Sequence, residues 1–551
     1  MSPNDKKLCV GINDNYLFNR FLISLITEVQ QFTEDHLDQI KRLTEIGTAL
    51  SAEKDLNRLL EMIVDEARKV TNADAGTLYI MSDDETELQF AIVQNNSLSV
   101  RMGGTGGQIT WPPVNLKNPD GSANNANVSA YVAISGEAVN IADVYHAHGF
   151  NFEGTKKFDK STGYRSKSML VVPLRNHEND IIGVLQLLNS LNPATGEVID
   201  FSSEYQEMIQ SLASQAAVAL SNNRLIHDLE NLLESFIKTI ATAIDEKSPY
   251  TGGHVKRVAE LTMTIAQKIS SINYGTFAGV KFSEDQLREL HVAAWLHDVG
   301  KITTPEYVVD KPTKLSAVHD RIQDVKTRME LLKKNCLSET QSGLINKAEQ
   351  ADKATAMPEA EIKALDEEYK LLLEVNKGGE FLNDAMIARI KEIAGRNWKI
   401  DGQMQPLLSD EEVYNLCIRR GTLTEEERNI INNHALVTHK MLSQLPFPKK
   451  MRHVAAYAAA HHEKINGTGY PLGLKGDQLS LQSRIIAIAD IFEALTAKDR
   501  PYKKGKSLAE ALKIMEAMAK DNHIDADLYD LFVKEKVYEE YAKDNLAPST
   551  S

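Results

Sequence analysis

The feature that most constrains this chain is a switch in the spacing of its apolar residues. Between Gly76 and Leu188 they fall in short blocks: Gly76-Thr-Leu-Tyr-Ile-Met81, Glu87-Leu-Gln-Phe-Ala-Ile-Val93, Ser168-Met-Leu-Val-Val-Pro-Leu174 and Ile181-Ile-Gly-Val-Leu-Gln-Leu-Leu188. On either side they recur at steps of three and four, as in Phe21, Leu22, Leu25, Ile26 and Val29, or Leu56, Leu59, Leu60 and Ile63. Blocks bounded by turn residues such as Asp83-Asp84 and His177-Glu-Asn-Asp180 read as strands, and the three-four pattern reads as helix. The expected architecture is therefore multidomain: a small α+β domain with one antiparallel sheet, followed by an all-α domain. At 551 residues, two or three cores are needed.

Several function classes drop out early. A net charge of −15 opposes a nucleic-acid backbone as partner, although a few basic residues suffice for a small anion. Cys9, Cys336 and Cys417 stand apart without CxxC spacing, which suits a reducing cytoplasm and excludes a disulfide framework. No signal peptide or membrane span is expected; the apolar run Leu17 to Thr27 contains Arg20 and is too short.

Within the first domain, Gly136-Glu-Ala-Val-Asn-Ile-Ala-Asp143, Phe152 and Phe158-Asp-Lys-Ser-Thr-Gly-Tyr-Arg-Ser-Lys-Ser-Met-Leu170 resemble a GAF domain over about 41–222. That resemblance implies either a small-molecule ligand, with Asp159, Thr162 and Gly163 lining its pocket, or a structural role in dimerisation. The sequence departs from the family's cyclic-nucleotide signature, since Asn189 is followed by Ser190, and Phe201 by Tyr205-Gln206. Residues 1–40 form a preceding helical segment.

Leu225, Leu229, Leu232 and Phe236 then step by four, three and four, the spacing of a short coiled coil over 223–240. A homodimer through this linker and the GAF region is expected; a helix packed on its own domain is the alternative. Helical patterns fill residues 241–545. Two stripes, Ile322, Val325, Met329, Leu332, Cys336 and Ile362, Leu365, Tyr369, Leu372, flank a polar stretch. They suggest an antiparallel helical arm inserted at about 316–421, edged by Lys314-Leu-Ser316 and Thr422-Leu-Thr-Glu425.

The chemistry concentrates in this helical half. His291-Val-Ala-Ala-Trp-Leu-His-Asp-Val-Gly-Lys301 reads as an apolar helix that ends by presenting His297, Asp298 and Lys301, with Gly300 letting the backbone leave at once. His254 follows Tyr250-Thr-Gly-Gly, His434 lies in Ile-Ile-Asn-Asn-His, and His461-His462 end the run Val454 to Ala460. Asp490 sits in Arg484-Ile-Ile-Ala-Ile-Ala-Asp490, where a lone carboxylate is costly without a cation or donor. One such histidine is ordinary core; five with two aspartates point to a metal centre. Imidazole and carboxylate donors without thiolates suit iron, manganese or similar ions. Two such ions can polarise a phosphodiester and activate water, with Lys301 neutralising phosphate charge.

Together, Tyr250-Thr-Gly-Gly-His254, His297-Asp-Val-Gly-Lys301, His461-His-Glu-Lys-Ile-Asn-Gly-Thr-Gly-Tyr-Pro471 and Asp490 through Asp499-Arg-Pro-Tyr502 resemble the HD-GYP family of metal-dependent phosphohydrolases. The resemblance implies hydrolysis of cyclic di-GMP to the linear dinucleotide pGpG, and onward to GMP. It also implies His254, His297, Asp298, His434, His461, His462 and Asp490 as ligands of two divalent ions, iron or manganese. Asp298 would bridge them and Lys301 would assist. Gly469, Tyr470 and Pro471 would shape the nucleotide site, with Arg500 and Lys503 on phosphate. Tyr250 stands where three-ion members carry glutamate, leaving Glu246 as the candidate for a third ion. Cyclic GMP-AMP as substrate, or a scaffold that binds without turnover, remain the alternatives.

Overall fold

The computed structural model describes residues 3–247, 253–345, 351–379, 381–400, 403–497 and 505–545. Its contacts divide the chain into two units, residues 1–231 and 232–551. Among the described residues, no helix is long and apolar enough to cross a membrane.

The first unit opens with a helix over Pro3–Ala52 and a second over Leu56–Thr71. The sequence pattern suggests one helix from Ile46 to Val70, but the chain breaks at residues 53–55, where the Asp55 side chain accepts from the Arg58 amide as an N-cap. An antiparallel sheet follows: β1 (Ala73–Met81), β2 (Glu87–Asn95), β3 (Val100–Gly103), β4 (Val114–Asn115), β5 (Val139–Ile141), β6 (Met169–Arg175), β7 (Ile181–Leu191) and β8 (Val198–Ile199). The order is β3-β2-β1-β7-β6-β5, with β4 beside β2 and β8 beside β7. Both faces are covered. Leu78, Leu170, Val172, Leu174, Leu185 and Leu187 face the helices, while Tyr79, Met169, Val171 and Val184 face a second cluster with Val132 and Phe152. That is why these strands read as continuous apolar runs rather than alternating ones.

A helix over Ser203–Asp245 leaves this sheet region, and its last turns bury Ile237 and Ile244 in the second unit's core. There, helices His254–Ser271, Glu284–Trp295, His434–Leu442, Val454–Ala459 and Leu481–Thr496 bury Val258, Ile265, Leu290, Ala293, Val454, Ile485, Ile488 and Phe492 against one another. Their starts are set locally. Ser283 and Gln286 form a capping box, and Ser480 accepts from the Ser483 amide.

The region between the two halves of this core builds a core of its own. Helices Ile322–Ile345 and Ala351–Asn376 pack together, burying Ile322, Val325, Met329 and Leu372 with Ile390, Leu407 and Leu416. Its ends are stitched: buried Lys314 donates to the carbonyls of Leu416 (2.9 Å) and Ile418 (2.7 Å). Lys311 reaches Asn415 and Glu427, and Thr422 donates to the Lys311 carbonyl. One element departs from the helical pattern: Asn397–Ile400 and Gln403–Pro406 pair as antiparallel strands. The Asp401-Gly402 dipeptide between them is a hairpin signal that the surrounding helical spacing obscures.

Candidate metal centre

Each histidine of the second unit's cluster sits where a helix starts or stops. His254 is the first residue of its helix, after Gly253 with φ of 80°. His434 likewise begins a helix. His297 and Asp298 fall between the helix ending at Trp295 and a 3-10 turn, Val299–Thr303. His461 and His462 follow the helix ending at Ala459. At such ends the backbone supplies free carbonyls, and the histidines use them. The Nδ1 atoms of His297, His434 and His461 lie 2.7, 2.5 and 2.6 Å from the carbonyls of Ala294, Ile431 and Ala458, each three residues earlier. A carbonyl only accepts, so Nδ1 carries the proton and the Nε2 lone pair is left to face inward.

Those inward atoms converge on one carboxylate. His254 Nε2 and His297 Nε2 lie 3.6 and 3.4 Å from Asp298 Oδ2. His434 Nε2 and His461 Nε2 lie 3.3 and 3.8 Å from Asp298 Oδ1. Asp490 Oδ1 stands 3.4 Å from His254 Nε2 and 3.9 Å from His297 Nε2. Two overlapping ligand groups result: His254, His297 and Asp298; and Asp298, His434, His461 and His462. His297 Nε2, His434 Nε2, His461 Nε2 and Asp298 Oδ1 are buried without a hydrogen-bond partner. Buried polar atoms without partners are costly. Several lone pairs aimed at one point, lacking donors between them, fit divalent cations. Lys301 Nζ lies 2.5 Å from Asp298 Oδ2.

The electrostatics agree. Burial lowers His461 well below its ordinary value, aided by His462 and His297, and burial takes His462 down to about 3. Both are neutral, as ligation requires. Burial opposes ionisation of Asp298 and Asp490, yet Lys301 and His297 hold the first well below the carboxylate range, and His254 does so for the second. Burial also lowers His254, but bonds to Asp298, Asp490 and Glu493 outweigh it and raise the imidazole well above its usual value. A divalent cation on Nε2 would replace that proton.

The residues expected to shape a nucleotide site lie beside this centre. The Tyr470 ring is 4.8 Å from that of His462 and 6.4 Å from that of His434. The Gly469–Pro471 turn is held by Glu463. Its carboxylate accepts from the amides of Leu472 (2.7 Å), Gly473 (3.1 Å) and Leu474 (3.0 Å). A Cβ on Gly469 would meet the Glu463 Cα at 2.5 Å. Arg500 and Lys503, with Tyr250, lie outside the described residues. Glu246 is exposed, whereas its neighbour Asp245 is buried and accepts from the Gly253 amide at 3.1 Å.

Gly300 does not play the terminating part that its place after the helix suggests. Its φ is not in the left-handed region, so it is no helix terminator. It is glycine because a Cβ there would lie 2.0 Å from the His434 carbonyl oxygen and 2.7 Å from the Thr438 amide. Its own amide donates to Thr438 Oγ1 (3.0 Å), which donates on to the His297 carbonyl (3.1 Å). This clamp holds His297-Asp298 against His434. Thr438 and Glu463 were not singled out by the sequence pattern. Neither was Glu493, although a carboxylate on the same apolar helix as Asp490 is just as costly without a partner.

In the first unit, Asp159, Thr162 and Gly163 are engaged locally. Buried Asp159 accepts from Tyr145 Oη (3.0 Å) and from the amide and hydroxyl of Ser166 (2.8 Å each). Thr162 donates to the Phe158 carbonyl, and Gly163, with φ of 75°, ends the helix Glu153–Thr162. Asn189 accepts from the Lys167 amide and donates to Tyr164 Oη, a structural knot.

Comparison with known proteins places these features in context. Residues 55–220 match the GAF domain family, and residues 251–370 and 408–528 each match an HD domain family. A 3'3'-cGAMP-specific phosphodiesterase of Vibrio cholerae is 47% identical over 97 residues, which is 17% of this chain and 20% of that protein. A cyclic di-GMP phosphodiesterase of Pseudomonas aeruginosa is 39% identical over 114 residues, 21% of this chain and 26% of that protein. One of Thermotoga maritima is 36% identical over 104 residues, 19% of this chain and 28% of that protein. The chain thus spans about a quarter of the length of the curated relatives it matches.

Proposed function

We propose that this chain, a GAF domain followed by a metal-dependent HD domain, is an HD-GYP-type phosphodiesterase hydrolysing cyclic di-GMP to pGpG, and onward to GMP. The observation that carries the reading is the Asp298 carboxylate, whose two oxygens each meet a different pair of imidazoles. A bridging carboxylate is what a two-ion centre needs. His254, His297, Asp298 and Asp490 would hold one ion; Asp298, His434, His461 and His462 would hold the other, with iron or manganese favoured by the donors. Bound there, the two cations supply Lewis-acid polarisation of a phosphoryl oxygen and a water made acidic enough to attack at neutral pH.

The chain's own groups do the rest. Lys301 sits on the bridging carboxylate and offers its ammonium to phosphate charge. Tyr470, its ring tilted against that of His462 on a turn that Glu463 fixes, would give a purine an aromatic wall. Arg500 and Lys503 would meet the second phosphate. The GAF domain would regulate this centre. Leu225, Leu229, Leu232 and Phe236 are all exposed at coiled-coil spacing, which supports pairing with a second copy.

A second substrate, 3'3'-cGAMP, is favoured by the relative of that specificity. Side-by-side incubation of the Mn²⁺- or Fe²⁺-loaded chain with both dinucleotides tests the proposal. Release of pGpG from cyclic di-GMP is expected. Turnover of 3'3'-cGAMP alone would replace the substrate, and turnover of neither, with ions shown to be bound, would remove the enzyme.

A further inference from the structure

Four histidines of the centre carry a partner on Nδ1, and they are not equivalent. Three use a backbone carbonyl three residues earlier. His254 alone uses a carboxylate: its Nδ1 lies 2.5 Å from Glu493 Oε2. Glu493 is wholly buried, and its other oxygen is gripped by Arg257, with Nε at 2.8 Å and Nη2 at 2.7 Å. Arg257 is one turn beyond His254, and Glu493 one turn beyond Asp490, so the two helices are joined by successive rungs. One rung faces the ion site and the next backs it. A buried carboxylate survives only if paired. Here the guanidinium leaves one oxygen free and aimed at His254.

A carboxylate behind an imidazole fixes its orientation and makes the far nitrogen a stronger donor to a cation than a carbonyl does. The side of the centre served by His254 also has two carboxylates, Asp298 and Asp490. The other has one, Asp298, with three imidazoles. Both differences act in the same direction.

Resting on the two-ion reading above, we propose that Glu493, held by Arg257, is a positioning residue that makes the His254–His297–Asp298–Asp490 site the tighter of two unequal ion sites. It touches neither ion nor substrate and acts through His254.

The test is stepwise titration of the metal-stripped full chain with Mn²⁺, following free ion by its magnetic-resonance signal, for the native protein, Glu493→Gln and His461→Ala. Native protein should bind two ions in distinguishable steps. Glu493→Gln, which keeps shape, should weaken the tighter step roughly 10–100-fold and leave the weaker one unchanged. That retained step also reports an intact fold. His461→Ala should do the reverse. Two unaltered steps in Glu493→Gln, or equal loss of both, would overturn the role assigned to Glu493. Native protein that binds no Mn²⁺ would instead overturn the metal centre itself.

Discussion

Replacing Gly300 by alanine separates two explanations of that glycine and measures how closely the centre is built. The new methyl would sit 2.0 Å from the His434 carbonyl oxygen, where ordinary contact begins at 3.4 Å. Something must yield by about 1.4 Å (3.4 minus 2.0). The obstacle is backbone, so no side-chain rotation relieves it, and the start of the His434 helix must move. His434 Nε2 stands 3.3 Å from Asp298 Oδ1, which makes the displacement comparable with the ligand geometry itself. Misplacing a reacting group by ~1 Å can cost ~10²-fold in rate, and overpacking of this kind costs about 1–3 kcal/mol of stability. Turnover of cyclic di-GMP, bound Mn²⁺ and urea unfolding should be measured together. The expected outcome is a loss of rate near that size, with weakened binding at the His434 side and the other ion retained. A glycine needed only to terminate a helix would lose about 1 kcal/mol of stability and no activity. Native rate and two bound ions in Gly300→Ala would refute the close-approach reasoning.

Two further outcomes follow from buried charges elsewhere. Glu463→Gln keeps the side chain's size but can accept on only one oxygen, so the Leu472–Leu474 amides lose part of their anchor. KM for the dinucleotide should rise several-fold more than kcat falls, with both ions still bound; an unchanged KM in steady-state assays would show that the turn holds itself. Burial takes Lys314 down to about 8 from 10.5, so the unfolded chain binds more protons than the native one between those values and stability rises with pH across that window. In urea unfolding, native protein should gain on Lys314→Met by up to about 3 kcal/mol from pH 8 to 10.5; a pH-independent difference would show that Lys314 titrates normally.

Much of the site was legible because its residues are chemically out of place. Asp490 in an alanine-isoleucine helix and His461-His462 after an alanine run announce a need for partners, whatever the fold. Four of the eight strands, β1, β2, β6 and β7, were legible for a similar reason, since turn residues bound each apolar block; β3, β4, β5 and β8 are two to four residues long and carry no such block. What escaped were groups whose job appears only across space. Thr438 and Gly300 form a clamp between segments 138 residues apart (438 minus 300), and no local pattern marks either. Glu493 was hidden because its partners, Arg257 and His254, lie on another helix more than 230 positions away. The break at residues 53–55 was lost because apolar spacing continues through it while only the Asp55 cap interrupts the backbone.

The lysine stitches at the base of the arm have one more consequence. Along the chain, 136 positions separate Asp298 from His434 (434 minus 298). Because the excursion departs and returns at adjoining points, with Lys314 on the Leu416 carbonyl and Thr422 on that of Lys311, the pocket is indifferent to how much chain intervenes. Such a gateway lets a lineage lengthen, shorten or swap the appendage without re-aiming a single imidazole.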